Sequence, residues 1–334
     1  MKKNKWYIIL VVAIFIGTIS YLIYSGEMVT VTEQLLNLNP YYFLLCVGAI
    51  IAYWMTEAKI TNDMVRSTGN KQPYNKALEV TMIGQFFNGI TPFSSGGQPA
   101  QLYFLTKQKL PIGKGSSVLM SKFIIYQAVL VVYSIVFLSI RAKQFETQVD
   151  HLFYIVLIGF IVNVFVIAML LFFSFAKKSN LYILTKIIKL LHKVKIVKNP
   201  EERIQKYHND LKDFHKHILL LKNNGKLFAR IVLLSVIQLA FYFIIPFLIY
   251  RSFGLEGADL ISMIAGTGFV LMVTSFIPIP GASGGAEGGF VLIFGLFFIS
   301  HYIITAIVIW RLITYYLGIL IGGIWMMFAK IRTE

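Results

Sequence analysis

The sequence predicts an all-α protein that crosses a membrane several times, and its composition, its long apolar runs and the placement of its charges support that prediction. Of its 334 residues, 57% are hydrophobic and only 14% are charged, and the mean hydropathy is +0.71. Soluble domains carry about 25% charged residues, so this chain has too few polar side chains to cover a water-exposed surface. The apolar content excludes intrinsic disorder, and a single cysteine, Cys46, excludes a disulfide scaffold.

Six apolar runs have the length that a transmembrane helix needs, which is about 20 residues for a hydrocarbon core of about 30 Å. These runs are 6–24, 40–58, 117–140, 152–176, 227–250 and 302–328. They are continuous rather than alternating, which argues against a β-barrel. No A-x-A cleavage site follows the first run, so we interpret it as a helix and not as a cleaved signal peptide.

Two further apolar segments, 77–105 and 260–300, are each interrupted by a stretch rich in Gly, Pro and Ser. The interruptions lie at 88–99 and 278–289. Unwound backbone inside a membrane is tolerated only where protein or a water-filled cavity satisfies its hydrogen bonds. We therefore predict two broken or re-entrant helical hairpins in addition to about six full transmembrane helices, which gives up to eight spans.

The basic residues predict the orientation. With the N-terminus in the cytoplasm, the inside segments hold 25 of the 31 Lys and Arg residues and the outside loops hold 3. Because cytoplasmic loops are enriched in Lys and Arg, we expect both termini to be cytoplasmic in a multi-pass protein of the bacterial cytoplasmic membrane. The net charge of +16 then follows from topology, and nucleic acid is not an expected partner. The charges inside the predicted membrane segments are Lys122, Arg230, Arg311, Glu57, Glu79 and Glu287.

The chain divides into two membrane halves within one integral membrane domain, 1–334. The halves are 5–176 and 227–330, and each contains one interrupted segment. Between them, residues 177–226 carry 13 Lys and Arg residues and apolar residues at helical spacing. This pattern predicts two basic amphipathic helices on the cytoplasmic leaflet. The positive-inside rule explains them as an anchor, and a sensor of anionic lipids is the less favoured alternative.

The two interruptions share a motif that indicates an internal repeat. Pro-x-x-Ser-Gly-Gly occurs at 92–97 and again at 280–285, an offset of 188 residues. When the offset is increased by one residue, the next polar residue of the first half aligns with that of the second. The same offset aligns a cation inside a predicted span of each half. In the predicted orientation the first interrupted segment is entered from the cytoplasm and the second from outside, so the repeat is inverted. Paired broken helices of this kind are typical of transporters with a site near the membrane midplane.

Charged and polar residues beside the interruptions form the candidate substrate site. Gln98 aligns with Glu287, and Lys122 aligns with Arg311. A charge in the bilayer is a functional candidate by default, although Glu287 and Arg311 also suit a structural ion pair, and Lys122 also suits reaching the cytoplasmic surface. Glycines let backbone N–H groups converge at helix ends, which suits an anionic group such as a lipid phosphate. The candidate substrate-binding and translocation residues are Asn88, Ser95, Gly96, Gly97, Gln98, Lys122, Pro280, Gly281, Ser283, Gly284, Gly285, Glu287 and Arg311.

Several motifs of enzyme chemistry are missing from the sequence. It contains no G-x-x-x-x-G-K-[ST], no H-E-x-x-H and no C-x-x-C. Ser94, Ser95 and Ser283 have no histidine near them in sequence to activate them. We therefore expect no metal, no other cofactor and no catalytic residue, and an enzymatic activity stays the less favoured alternative.

Two longer stretches around the interruptions match motifs of a known family. The first is carried by Gly84, Gln85, Phe86, Phe87, Asn88, Thr91, Pro92, Gly96, Gly97, Gln98, Pro99, Leu102, Ser121 and Lys122. The second is carried by Pro278, Pro280, Gly281, Gly284, Glu287, Gly288 and Arg311. Over roughly residues 5–328 the chain resembles the transmembrane region of lysylphosphatidylglycerol synthases. That family often has Gly-Glu at 97–98 and Arg at 122, so the first half of this chain carries a weaker charge set.

The resemblance implies a flippase-like module that moves lysyl-phosphatidylglycerol, another phospholipid or a polyprenyl-phosphate lipid. In full-length relatives a separate soluble domain attaches lysine from lysyl-tRNA. This chain ends at Glu334, soon after its last predicted helix, so we expect that domain and its lysyl transfer to be absent. The alternatives are a membrane enzyme, or a partner of a soluble synthase, in lysyl-phosphatidylglycerol synthesis and resistance to cationic antimicrobial peptides. Glycines at 318, 322 and 323 also suit helix packing within one chain or in a homo-oligomer.

Overall fold

The computed structural model describes residues 27–146, 152–193, 199–274, 277 and 279–329, and the regular secondary structure in these ranges is helical. The predicted first span, 6–24, lies outside the described residues, and so do both chain ends. The helices are α1 (Glu27–Leu36), α2 (Pro40–Ser67), α3 (Tyr74–Ile90), α4 (Gly97–Lys107), α5 (Ile112–Glu146), α6 (Leu152–Phe175), α7 (Lys177–Lys193), α8 (Pro200–Asn223), α9 (Gly225–Phe243), α10 (Ile245–Ser252), α11 (Leu260–Thr274), α12 (Gly285–Phe294), α13 (Ser300–Arg311) and α14 (Leu317–Phe328). A π-helical stretch, Leu312–Tyr316, joins α13 to α14.

Among the described residues, four helical stretches are long and apolar enough to cross a membrane. They are Pro40–Ser67, Ile112–Arg141, Gly225–Ser252 and Ser300–Phe328. Each coincides with a run that the hydropathy pattern predicts, and the chain is therefore a polytopic membrane protein. The predicted span 152–176 forms α6, a helix of 24 residues. The number of crossings and the side that each end faces stay predictions.

The helix α2 shows how the sequence builds a long span. The side-chain oxygen of Asn39 accepts a hydrogen bond from the Tyr41 N–H, and Pro40 occupies the first turn, where its missing N–H is not needed. Buried residues recur every three or four positions from Cys46 to Val65. One face of α2 therefore packs against α3, α9 and α10, and the other face stays apolar and exposed.

Aromatic packing holds the second half together. Phe290 and Phe294 of α12 are fully buried, with ring centroids 4.4 Å apart. The Phe290 ring also lies 5.0 Å from that of Trp310 near the end of α13. Because Arg311 follows Trp310 directly, this packing places the Arg311 backbone beside the start of α12.

Both interrupted segments fold as helical hairpins. In the first, α3 and α4 flank a 3₁₀ turn at Pro92–Ser94, and in the second, α11 and α12 flank a 3₁₀ turn at Pro280–Ala282. The outgoing arms contain 11 and 10 residues, so at 1.5 Å per residue they are about 17 and 15 Å long. Each outgoing arm is therefore much shorter than a hydrocarbon core of about 30 Å.

The backbone of the two turns is nearly the same. Thr91 and Ile279 precede the turns with φ/ψ of −121°/147° and −118°/143°. Phe93 and Gly281 occupy the left-handed region at 56°/16° and 63°/15°. The shared motif Pro-x-x-Ser thus specifies the same local structure in both halves, and the two turns contact each other.

The basic segment between the halves forms α7 and α8. One face of α8 packs on protein: a Cβ on Gly113, in the first turn of α5, would overlap the carbonyl of Asp210. The His215 ring is 2.9 Å from the Ser174 carbonyl oxygen near the end of α6, and His215 and His217 are both buried. The interpretation of this segment as a leaflet-bound anchor is therefore incomplete, because α8 also docks on α5 and α6.

Candidate functional site

A cavity of about 690 Å³ lies between the two hairpins. Its wall is formed by both turns together with α2, α5, α9 and the stretch from α13 to α14. Polar side chains on this wall include Glu57, Gln85, Asn88, Gln98, Gln101, Lys122 and Arg311. The two cations that aligned in the repeat, one from each half, therefore open to the same space.

The second-half pair, Arg311 and Glu287, is held in place by the second turn. The Arg311 Nε donates to Glu287 Oε1 at 2.7 Å, and Nη1 donates to the Gly281 carbonyl at 2.8 Å. The other carboxylate oxygen of Glu287 accepts the Gly284 N–H at 2.6 Å, which caps the start of α12. Trp310 and Tyr315 flank the guanidinium, with ring centroids 5.2 and 5.4 Å from Cζ.

One donor of Arg311 is left over. The side chain of Arg311 is only 9% exposed, and its Nη2 is buried without a hydrogen-bond partner in the described part of the chain. Leaving a buried charged donor unpaired is costly, so an oxygen that reached Nη2 through a local rearrangement of the cavity wall would be bound favourably. A planar guanidinium suits phosphate and carboxylate oxygens in particular.

The first-half pair is Lys122 and Glu57. The Lys122 Nζ donates to Glu57 Oε1 at 2.9 Å and lies 3.3 Å from both Thr61 Oγ1 and Gln101 Oε1. The second oxygen of Glu57 accepts from Gln85 Nε2 at 2.7 Å. Both charged side chains are only 12% exposed. Lys122 thus makes its polar contacts within the protein, on the cavity wall.

The sequence reasoning missed the partner of Lys122. It aligned Gln98 with Glu287, but Gln98 lies on the cavity wall and the carboxylate that pairs with Lys122 is Glu57, on α2. Glu57 had been counted among the membrane charges without a role. An acid inside an apolar run is itself a signal of function, and giving it that weight would have included Glu57 in the site.

The hairpin glycines and hydroxyls mostly shape the turns. The Gly97 N–H donates to Asn88 Oδ1 at 3.0 Å, and the Gly96 N–H donates to the Thr91 hydroxyl at 2.8 Å. The hydroxyls of Ser95 and Ser283 donate to the carbonyls of Pro92 and Pro280. The expectation that the N–H groups of Gly96, Gly97 and Gly284 await a ligand is therefore wrong, because each already has an internal acceptor.

The predicted site residues divide into two groups around the cavity. Those on its wall are Asn88, Ser95, Gln98, Lys122, Gly281 and Arg311. Those that do not line the cavity are Gly96, Gly97, Pro280, Ser283, Gly284, Gly285 and Glu287. The second group supports the first, since it contains the capping carboxylate and the tight turns.

Close packing explains two of the glycines. A Cβ on Gly97 would overlap the Asn88 side chain, and a Cβ on Gly281 would overlap the ring of Tyr315. The Tyr315 hydroxyl in turn donates to the carbonyl of Gly89, at the end of α3, at 2.9 Å. Tyr315 therefore touches both hairpins and closes the cavity between them.

Residues 281–285 also fit the pattern G-x-S-x-G of hydrolase nucleophiles, which the sequence reasoning overlooked. In hydrolases that serine sits on a strand-to-helix turn. Here it follows a 3₁₀ turn between helices, and its hydroxyl donates to the Pro280 carbonyl. The described residues also include no cluster of three His, Cys, Asp or Glu side chains arranged to hold a metal.

The family described as the lysylphosphatidylglycerol synthase TM region matches residues 8–322. The chain belongs to this family. The resemblance seen in the sequence motifs is thereby confirmed, and the matched region includes both hairpins and both ion pairs.

Two archaeal members are similar over most of their length. A UPF0104 membrane protein of Archaeoglobus fulgidus is 25% identical, and the alignment covers 88% of each chain. A UPF0104 membrane protein of Methanocaldococcus jannaschii is 23% identical, and the alignment covers 99% of this chain and 96% of the relative. Both relatives are named as membrane proteins, which agrees with the four described stretches of this chain that are long and apolar enough to cross a membrane.

Proposed function

We propose that this protein moves a lipid with an anionic or phosphate-containing headgroup across the cytoplasmic membrane, through the cavity between the hairpins. The observation that supports this best concerns Arg311, which lines a cavity of about 690 Å³ and whose buried Nη2 has no hydrogen-bond partner among the described residues. Cavities of about 300–1,000 Å³ hold small-molecule groups. The space suits a glycerophosphate headgroup, while the acyl chains would stay in the lipid.

The architecture supports transport rather than a static binding site. Two hairpins with the same turn meet at the cavity, and the charge pattern predicts that they enter from opposite sides of the membrane. Their outgoing arms are too short to cross alone, which favours re-entrant hairpins in an inverted repeat. Alternating exposure of a site between such repeats is a common mechanism of membrane transporters.

Exchange of partners at Arg311 provides the mechanism. Glu287 and the Gly281 carbonyl accept hydrogen bonds from Nε and Nη1 of Arg311. A headgroup phosphate would bind Nη2 and compete with Glu287, whose side chain is 34% exposed and therefore able to move. A carboxylate freed in this way would pair with the ammonium of a lysylated or zwitterionic headgroup. Loss of the Glu287 bond to the Gly284 N–H would also uncap α12 and loosen the hairpin.

The test is headgroup movement in vesicles that contain the purified full chain. A fluorescent phosphatidylglycerol is placed in one leaflet, and its exposure to a membrane-impermeant quencher reports movement. We expect Arg311→Ala and Glu287→Gln to abolish the protein-dependent movement while the protein stays in the membrane. Lys189→Gln, which removes an exposed cation from α7, is the matched control and is expected to behave as wild type. Unchanged movement in both site variants would overturn the proposal.

Substrate class is tested by changing the labelled headgroup. Phosphatidylglycerol, lysyl-phosphatidylglycerol and a polyprenyl phosphate each present a phosphate to Arg311. The lipid that moves fastest identifies the preferred substrate class. If none of the three lipids moves, the proposed transport role of the cavity is wrong.

The family match favours one alternative, a role in lysyl-phosphatidylglycerol synthesis itself. In that case the chain is an enzyme, or it recruits a soluble synthase through α7 and α8. Incubation of purified protein with phosphatidylglycerol and lysyl-tRNA distinguishes the possibilities. Product formed by the chain alone would establish enzymatic activity, and product formed only with a co-purifying synthase would establish the partner role.

A further inference from the structure

A second charged feature lies outside the cavity, where α2 ends and α9 begins. Lys59, Asp63 and Arg66 are spaced i, i+4 and i+7 on α2, so they share one face of that helix. Arg230, in the first turns of α9, lines the same open depression of about 360 Å³. We call these four residues and the depression between them the basic groove.

The basic groove carries more positive than negative charge. Asp63 pairs with Lys59 at 2.9 Å and with Arg230 at 3.0 Å, and it is the one acid on the wall. Arg66 is exposed and pairs with no carboxylate in the described ranges. Asp63 is nearly buried, whereas Lys59 and Arg230 are 39% and 55% exposed. Asp63 therefore positions Lys59 and Arg230 from the buried side of the groove, and both cations remain exposed.

The depth of the groove matches the membrane surface. Lys59 lies 19 residues after Pro40, the first residue of α2, which corresponds to about 28 Å along the helix. The hydrocarbon core is about 30 Å thick. If Pro40 marks one surface, the groove lies at the headgroup level of the other, which the charge pattern predicts to be the cytoplasmic leaflet.

An apolar surface continues from the groove toward the membrane centre. On α2, Ile51 and Met55 precede Lys59 by two turns and one turn and are exposed. On the antiparallel α9, Leu233 and Ile237 follow Arg230 and are also exposed. A lipid can place its anionic headgroup in the groove and its acyl chains on this apolar surface, so both parts of the molecule make favourable contacts. A free anion makes only the contacts in the groove.

We propose that the basic groove is a second lipid site, which binds the headgroup of an anionic phospholipid from the adjacent leaflet. The phosphate would be bound by the outward-facing cations Arg66, Arg230 and Lys59, and the acyl chains would lie along the exposed face of α2 and α9. Basic pockets between transmembrane helices are known to bind anionic headgroups. The site does not depend on transport through the central cavity and shares no residue with it.

The test is native mass spectrometry of the detergent-solubilised full chain titrated with phosphatidylglycerol or phosphatidylcholine. A cation at the membrane surface contributes enough to change affinity about fivefold. We therefore expect Arg66→Gln and Arg230→Gln each to weaken phosphatidylglycerol binding about fivefold and to leave phosphatidylcholine unchanged. Lys189→Gln removes the same charge from α7 and is expected to change neither lipid.

Three further measurements make the result decisive. Arg66→Lys, which keeps the charge, is expected to bind within about twofold of wild type. The same losses are expected in an Arg311→Ala background, which separates the groove from the central cavity. Glycerol 3-phosphate at the lipid's concentration is expected not to displace phosphatidylglycerol. The proposal is overturned if Lys189→Gln weakens binding as much as the groove variants, if the losses vanish in the Arg311→Ala background, or if glycerol 3-phosphate displaces the lipid.

Discussion

The two buried ion pairs at the cavity differ in how completely their hydrogen-bonding groups are used. In the first-half pair, both oxygens of Glu57 accept a bond, and Lys122 has three oxygens within 3.3 Å. In the second-half pair, one nitrogen of Arg311 has no partner within the ranges that the structure describes, and Glu287 is 34% exposed. The hairpins share a turn, but the charges around them are hydrogen-bonded differently.

That difference assigns separate roles to the two halves. A fully satisfied buried pair braces α2 against α5, because breaking it would leave an isolated charge. A pair with a spare donor beside a cavity is ready to accept a ligand. We infer that the first half provides a rigid wall and the second half provides the binding group.

The largest expected effect is loss of stability on removing Lys122. Lys122→Met leaves Glu57 buried and unpaired, which costs about 3–5 kcal/mol, so the thermal midpoint in detergent should fall sharply. The double variant Lys122→Met/Glu57→Gln removes both charges and should recover most of that loss.

The corresponding change in the second half sharpens the comparison. Arg311→Met should cost less stability than Lys122→Met, because Glu287 is more exposed and keeps the Gly284 N–H. Equal losses in the two halves would contradict the division into a brace and a binding group.

A smaller effect is expected from filling the second turn. Gly281→Ala places a methyl group against the Tyr315 ring at a positive φ of 63°, and should cost about 2–4 kcal/mol. Gly254→Ala is the control, since its φ of 73° is also positive and its Cβ would meet open space. It should cost about 1–2 kcal/mol from backbone strain alone. Unfolding midpoints measure both, and indistinguishable losses would show that the contact with Tyr315 is unimportant.

The hydrogen bond by which Tyr315 links the two hairpins should contribute about 1 kcal/mol to the stability of the fold. Tyr315→Phe removes the hydrogen bond to the Gly89 carbonyl and leaves the ring in place. The variant should unfold at a lower temperature and should exchange the amide protons at the end of α3 faster. Tyr53→Phe, which loses only a long 3.4 Å contact with Tyr126, is the control and should change less. No difference between the two would argue against such a link at Tyr315.

The smallest effect concerns the entry to the second hairpin. Burial raises the pKa of Asp259, but hydrogen bonds from Ser262 and the contact with Arg141 outweigh it, and the pKa falls to about 2. A lowered carboxyl pKa stabilises the fold above its ordinary value of about 4, and that stabilisation is lost as the pH falls toward 2. Because the pair is exposed, Asp259→Asn should cost about 0.5 kcal/mol at pH 7. The variant should also lose less stability than wild type between pH 4 and 2, and parallel pH profiles would contradict this assignment.

The sequence predicts much of this fold for definite physical reasons. Apolar runs of about 20 residues require helices in a membrane, so the runs 40–58, 117–140, 227–250 and 302–328 all coincide with helical stretches. The bounds agree within five residues, except that the first stretch continues to Ser67. The Pro-x-x-Ser motif fixes a local hydrogen-bonding pattern, so it predicted a break at the right place in each half.

The pairing of the charges was not predictable in the same way. Glu57 and Lys122 are 65 residues apart, and only the packing of α2 on α5 shows that they face each other. The ion pair expected between Glu287 and Arg311 is present, because both residues lie beside the second turn. Repeat alignment failed for Gln98, since the first half uses a carboxylate from a different helix.

The most direct test of the central claim is a structure of the full chain in a phosphatidylglycerol bilayer. The account predicts headgroup density between the hairpins, with a phosphate oxygen within hydrogen-bonding distance of Arg311 Nη2 and the first-half pair unchanged. An ordered headgroup that is bound by Lys122 in place of Glu57, or a lipid-occupied cavity in which Arg311 makes no contact with the headgroup, would contradict it.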